Sequence, residues 1–435
     1  MQRLLRFSER IFKTDMRYVA RGGFWLTVGQ AFALISSLGL SVAFANLLPK
    51  EVYGNYKFIL SIAGLLGSLA LTGMGSVVIQ AVARGHEGTA AIVSKHYLRF
   101  GSAVTIASLA LSIYYYVGGG TNIALGILIA GVTLPLSGAW GLYSGVLSGR
   151  KDFKHSTLFW IYGQATSVAA LIITAKYSHN FVALVAVYYF SNILTAYITY
   201  RYIIYKFKPN TLEDASMVGY GKHISLMNFF GTLANQLDKI LVFHFLGAAP
   251  LAVYTFAFAI PEQIKGSYKN LFNIALPRYA ELAPEKLRAS IIDKTIRLTI
   301  VSVLIVVVYI LLSPYLFLLL FPKYLDSVFY SQIYILGLIA IPGISLFGTY
   351  FQVKKATATL YKLNILSNIA TIVLTIILIS KWGIKGAVIE NGLSWFIMLA
   401  INGFYFARDR DTRGTGPGQG GPVIDQTLVG VGEPK

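Results

Sequence analysis

Apolar runs of about 20 residues recur along the chain from residue 23 to residue 406, separated by short polar stretches. Wound as a helix, each run is long enough to cross a ~30 Å hydrocarbon layer. Twelve spanning helices are expected, at residues 23–47, 57–83, 97–117, 122–148, 157–175, 181–205, 222–246, 251–277, 297–320, 328–350, 360–380 and 385–406. Half of the connections are short and rich in turn formers: "LLPKEVYGN", "VGGGTN", "KYSHN", "LGAAP", "LFPKYLDS" and "SKWGIKG". The others are longer and basic.

Composition agrees with this pattern. Of 435 residues, 55% are hydrophobic and 13% charged, against about 25% charged in soluble domains; mean hydropathy is +0.63. The chain reads as an all-α integral membrane protein. Its net charge of +19 follows the topology. The basic connections and the two termini hold 28 Lys and Arg, while the short connections hold Lys50, Lys57, Lys176, Lys323, Lys381 and Lys385. By the positive-inside rule both termini face the cytoplasm. The charge is therefore no nucleic-acid footprint, and no nucleic-acid partner is expected.

The leader, residues 1–22, lacks the apolar core of a cleavable signal peptide. Arg3, Arg6, Arg10, Lys13 and Arg17 share one helical face, as in a helix lying on anionic lipid; a disordered basic leader that only enforces topology fits the residues equally. Residues 407–435 are rich in Gly and Pro and are expected to be a disordered cytoplasmic tail.

An internal repeat divides the chain. Offset by 198 residues, Leu48, Tyr56 and Phe58 fall on Leu246, Tyr254 and Phe256; offset by 204, Arg150, Lys151 and Gln164 fall on Lys354, Lys355 and Asn368. Two six-helix lobes follow, 23–206 and 222–406, joined by a cytoplasmic connection at 207–221. With an even number of spans each, the lobes are related by an axis along the membrane normal.

Polar residues interrupt particular helices. Asn228, Thr232, Asn235 and Lys239 share one face of the seventh span, beside Asp238, and Gln30, Ser37 and Ser41 occupy the matching face of the first. Lipid does not solvate such a face. It either lines a water-filled cavity between the lobes or holds helices together by hydrogen bonds. Glu262, Lys265, Lys269 and Asn273 form a second stripe on the eighth span. Each charge at a helix centre costs roughly 2.5–3.5 kcal/mol on the insertion scale, so these groups need compensation. Asp238 and Glu262 either neutralise Lys239 and Lys265 as a structural cluster, or the three lysines, outnumbering two acids, receive an anionic ligand.

Several functions are excluded or disfavoured. No G-x-x-x-x-G-K-[ST] loop is present, the six histidines make no zinc spacing, and cysteine is absent. No catalytic residue, metal site or cofactor is assigned. A membrane glycan polymerase would need a long outer loop, and none is found.

The stretches "GGFWLTVGQAFALISSLGLSVAFANLLPKEVYGNYKFILSIAGLLGSLALTGMG", "SGVLSGRKDFKHSTLF", "NQLDKILVFHFLGAAPLAVYTFA" and "LFNIALPRYAEL" resemble the Wzx-type polysaccharide flippases of the multidrug/oligosaccharidyl-lipid/polysaccharide exporter superfamily. The resemblance implies a twelve-helix, two-lobed, MATE-like transporter of the inner membrane. It would move an undecaprenyl-pyrophosphate-linked oligosaccharide to the outer leaflet by alternating access, for O-antigen or exopolysaccharide synthesis. Lys239, Lys265 and Lys269 would attract the anionic head, Asn228 and Asn235 would bond sugar hydroxyls, and Gln30 would be a further substrate-binding residue. Asp238 stands where the family's seventh-helix acid usually stands. It or Glu262 would pair charges or carry a coupling H⁺ or Na⁺. Besides the lipid-linked substrate and membrane lipids, a polymerase and a chain-length regulator are the implied partners. A drug/cation antiporter and a lipid II flippase of the same superfamily are the alternatives. The antiporter should have acids in the first lobe, and the lipid II group tends to have two more helices.

Overall fold

The computed structural model describes the backbone of residues 16–266, 268 and 284–409, and the side chains of 23–266, 268 and 287–409. The described residues form helices: α1 Met16–Leu47, α2 Lys50–Gly67, α3 Met74–Ala83, α4 Thr89–Val117, α5 Thr121–Gly141, α6 Ser144–Gly149, α7 Phe153–Tyr177, α8 Phe181–Tyr202, α9 Met217–Leu246, α10 Ala248–Ala257, α11 Pro284–Leu320, α12 Ser327–Ile335, α13 Ile341–Val353 and α14 Thr357–Arg408. Residues 259–266 continue helically after a break at Phe258.

These elements make twelve spans. The pairs α2/α3, α5/α6 and α12/α13 are each one span broken partway, and α14 is two. Gly383, at φ 56° and ψ −132°, turns α14 back on itself, a conformation that glycine adopts without a β-carbon penalty. In the first lobe α4 packs on α5, α5 on α8, and α1 on α7; in the second α9, α12 and α13 pack on α14, and α11 on α13. The lobes meet where α2 lies against α9 and α10, and α3 against α9.

The repeat is visible in the backbone. Lys151 and Lys355 both have positive φ, 63° and 55°. Each terminates a helix with the same pair of hydrogen bonds: Lys151 N to Ser148 O and Asp152 N to Leu147 O, against Lys355 N to Gln352 O and Ala356 N to Phe351 O. Two non-glycine residues held in the left-handed region at matching positions mark the same turn built twice.

Several boundaries differ from expectation, among them the starts of α4, at Thr89 rather than 97, and of α11, at Pro284 rather than 297. The second span begins at Lys50, not 57: Pro49 precedes it and Glu51 lies in its first turn, where an acid complements the helix dipole. Gly54, which suggested a turn, is instead a point of close helix approach. Lys57 therefore leaves the outer connection and sits inside a helix. Residues 16–22 are continuous with α1, and α9 begins at Met217, five residues before the expected lobe boundary. The leader before residue 16, the end of the eighth span with Lys269 and Asn273, and the tail from 410 lie outside the described residues.

Eight described helices are long and apolar enough to cross a membrane by length and composition; α2, α9 and α10 are not among them. All three border a charged cavity.

Candidate functional site

The cavity, about 760 Å³, lies mainly in the second lobe and is closed on its first-lobe side by Ser37 and Ser41 of α1 and by Tyr53 and Lys57 of α2. Polar groups converge on it from α1, α2, α9, α10, α12, α13 and α14 and from residues 259–266, held by aromatic packing behind them. Tyr53 stacks on Phe256 with centroids 4.5 Å apart, and Phe258 on Tyr334 at 4.0 Å. Where lipid removes the hydrophobic drive between helices, such packing is what joins them.

One polar chain runs through the second-lobe wall. Lys239 Nζ lies 3.1 Å from Asp238 Oδ1 and donates to the Asn235 carbonyl at 2.7 Å. Buried Asp238 accepts from the Tyr254 hydroxyl at 2.6 Å. Asn391 donates to Tyr254 Oη at 2.9 Å and to Glu390 Oε2 at 3.1 Å, and Ser394 donates to Glu390 Oε1 at 2.6 Å. Glu390 is 1% exposed. Among the described residues it has no cation within ion-pair distance.

A second cluster faces it. Lys265 is paired with Glu262, the Tyr334 hydroxyl donates to Glu262, and Lys265 also donates to Tyr334 Oη at 3.1 Å. The same ammonium lies 4.5 Å from the Trp395 ring centroid, a cation–π position. Across the seam between the lobes, Gln263 donates to Ser37 Oγ at 3.0 Å.

Lys57 differs from the other lysines. Its Nζ lies 5.4 Å from the Tyr53 ring centroid, and among the described residues no carboxylate pairs with it.

The expected site residues divide. Asn235, Asp238, Lys239, Glu262 and Lys265 come together in this cavity. Gln30 lines a different cavity, within the first lobe, and Asn228 is exposed and lines neither. Lys269, the third lysine of the expected excess, lies outside the described residues; the described lining holds Lys57, Lys239 and Lys265 against Asp238, Glu262 and Glu390. Charge is balanced there, and Lys239 and Lys265 each have an acid beside them. Lys57 was missed because Gly54 resembled a turn, Glu390 because it stands alone in its apolar run. An acid followed by Asn391 inside a span was the available signal.

The first-lobe cavity, about 630 Å³, lies among α1, α5, α6, α7 and α8. No described residue lining it carries a charge.

The sequence profile described as "Polysaccharide biosynthesis protein" matches residues 19–283. No curated protein matches the chain in sequence. Among solved structures, the fold is similar to the inward-facing conformation of a multidrug resistance MATE family transporter of the MOP superfamily, at TM-score 0.68 and 14% identity over 90% of this chain and 100% of that one. It is similar to lipid II flippase MurJ in its inward closed conformation, at TM-score 0.68 and 15% identity over 88% and 87%. An outward-facing MATE transporter matches at TM-score 0.62 and 14% identity over 90% and 95%. At such identities the likeness is one of fold.

Proposed function

Because the chain belongs to the polysaccharide biosynthesis protein family, we propose that it is a flippase for an undecaprenyl-pyrophosphate-linked oligosaccharide repeat unit. It carries this unit from the cytoplasmic to the outer leaflet of the inner membrane by alternating access between its two lobes, with both termini cytoplasmic. The product feeds surface polysaccharide synthesis, as O-antigen or exopolysaccharide, beside a polymerase and a chain-length regulator.

The observation that carries this reading is Lys57. Lys239 and Lys265 have carboxylates beside them, whereas the Lys57 ammonium faces the shared cavity without one among the described residues. An unpaired cation in a low-dielectric cavity favours an anion, and a pyrophosphate supplies one. Lys239 and Lys265, each beside its acid, line the same cavity, and Asn235 offers hydrogen bonds to the first sugar. Asn228, the other sugar contact expected from the sequence, and Gln30, expected to bind substrate, lie away from this anion.

The coupling ion, H⁺ or Na⁺, is assigned to Glu390, with Asp238 joined to it through Tyr254 and Asn391. Asp238 and Glu262 already have lysines beside them, whereas Glu390 is held by neutral donors. Catalysis plays no part in this reading.

The test is surface glycan delivery in cells lacking their own flippase, at matched membrane abundance. The intact chain is expected to restore glycan, and Lys57→Gln to fail. If the intact chain expels a cationic dye and restores no glycan, the drug/cation antiporter reading replaces this one.

A further inference from the structure

The lack of charge separates the first-lobe cavity from the charged one. Its described lining is uncharged, so neither an organic cation nor a phosphate finds a counter-charge there. It is nevertheless polar, with Gln30, Gln164, Asn192 and Ser156 on α1, α7 and α8. Aromatic residues border it, among them Tyr188 and Trp160, which is 46% exposed. Gln30 and Gln164 make no hydrogen bond to any described protein group, and Asn192 uses only its amide nitrogen, on the Tyr188 carbonyl at 2.7 Å. Each free carboxamide offers two donors and one acceptor oxygen.

Neutral amides beside aromatic faces suit one ligand class. Sugar hydroxyls donate and accept alternately, as a carboxamide does, and the C–H face of a pyranose presents weak positive charge to a ring's negative π face. The volume falls in the ~300–1,000 Å³ range of small-molecule pockets.

Helix α1 relates this cavity to the other. Gln30 borders the first-lobe cavity, while Ser37 and Ser41, on the same helical face, border the charged one. At 1.5 Å per residue they lie about 10 and 16 Å further along the axis. A glycan attached to a head group beside Ser37 and Ser41 has about that distance along α1 to cover.

We infer that the uncharged first-lobe cavity is a glycan subsite, which holds neutral sugar rings of the repeat unit through Gln30, Gln164 and Asn192 while the anionic head lies in the second-lobe cavity. This rests on the flippase reading above and divides its ligand between two sites.

The chain has no cysteine, so a single introduced thiol reports one place. Gln164→Cys and Asn192→Cys report the first-lobe cavity from two helices, and Asn235→Cys reports the charged one. Each full-length variant, in lipid nanodiscs, is labelled with N-ethylmaleimide alone, with undecaprenyl pyrophosphate, or with the undecaprenyl-linked oligosaccharide extracted from the source membranes. A bound ligand slows labelling by a factor of 1 + [L]/Kd, about threefold at twice Kd.

The linked oligosaccharide is expected to protect all three thiols, and undecaprenyl pyrophosphate to protect Asn235→Cys alone. Protection of Asn235→Cys by both ligands, with neither first-lobe thiol protected by the oligosaccharide, overturns the glycan subsite and leaves the flippase reading standing. Equal protection of the first-lobe thiols by undecaprenyl pyrophosphate overturns it too, since the glycan then has no part. If the oligosaccharide protects no thiol, the flippase reading fails and the subsite with it.

Discussion

Gly54 of α2 and Ala248, the first residue of α10, are in direct backbone contact across the two lobes: a β-carbon on Gly54 would lie 1.9 Å from the Ala248 carbonyl oxygen. Near this contact Lys50 Nζ reaches Asp326 Oδ2 at 3.3 Å, and Lys323 donates to the Asn46 carbonyl at 2.6 Å. The lobes are thus joined at the end of the bundle away from the termini. Gly54→Ala forces α2 and α10 apart and is expected to cost about 1–3 kcal/mol, the usual penalty of overpacking. Thermal unfolding in detergent measures it; an unchanged melting temperature would show that the seam yields freely.

Lys57→Gln removes the one cation of the described lining that no described carboxylate pairs with, without changing the cavity's volume much. Hydrogen bonds to charged groups contribute about 1.5–3 kcal/mol, so glycan export should fall by roughly 10- to 100-fold, with Lys57→Arg retaining more activity than Gln. Equal activity for both substitutions would remove charge from the argument.

Glu390→Gln keeps the shape of the buried side chain and one acceptor oxygen, able to receive Asn391 while its amide donates to Ser394 Oγ, and deletes its titratable group. In proteoliposomes it should abolish transport driven by a pH or sodium gradient and spare exchange of substrate without a gradient. Loss of both together would place Glu390 in substrate binding or folding instead.

Tyr254→Phe deletes the donor to Asp238 and the acceptor for Asn391. Leaving buried partners unsatisfied costs about 1–3 kcal/mol. A fall in thermal stability is expected, smaller than that of Asp238→Ala, which also strips Lys239 of its acid.

Outside the membrane core, Glu87 accepts two bonds from Arg150, at 2.5 and 2.7 Å, and one from Asn210 N at 2.8 Å. This ties the inter-lobe connection to two first-lobe turns. The Arg150 bonds chiefly hold the Glu87 carboxyl below its ordinary value of 4.5. A carboxyl lowered on folding adds stability above its unfolded value, and that stability is lost as pH falls through the folded value. The intact protein should therefore lose more stability than Glu87→Gln as pH drops below about 4.5, as read from melting temperatures at each pH.

The sequence by itself determined the class, the twelve spans and the repeat, because these follow from local patterns. An apolar run of sufficient length has few alternatives to a membrane helix, and "GRKD" and "VKKA" close the same turn wherever the chain goes. It also marked Asp238, Lys239, Glu262 and Lys265, since charge in an apolar run is conspicuous without coordinates. Only the tertiary structure decided what those charges face. Gly54 signals a turn until Ala248 is brought against it from 194 residues away; Lys57, three residues on in the same helix, then faces the cavity. Glu390 joins Asp238 only through Tyr254 and Asn391, and Gln30 and Asn235 part company because α1 borders two cavities at different heights. Pairing, burial and the separation of sites are properties of side chains distant in sequence, which no local pattern encodes.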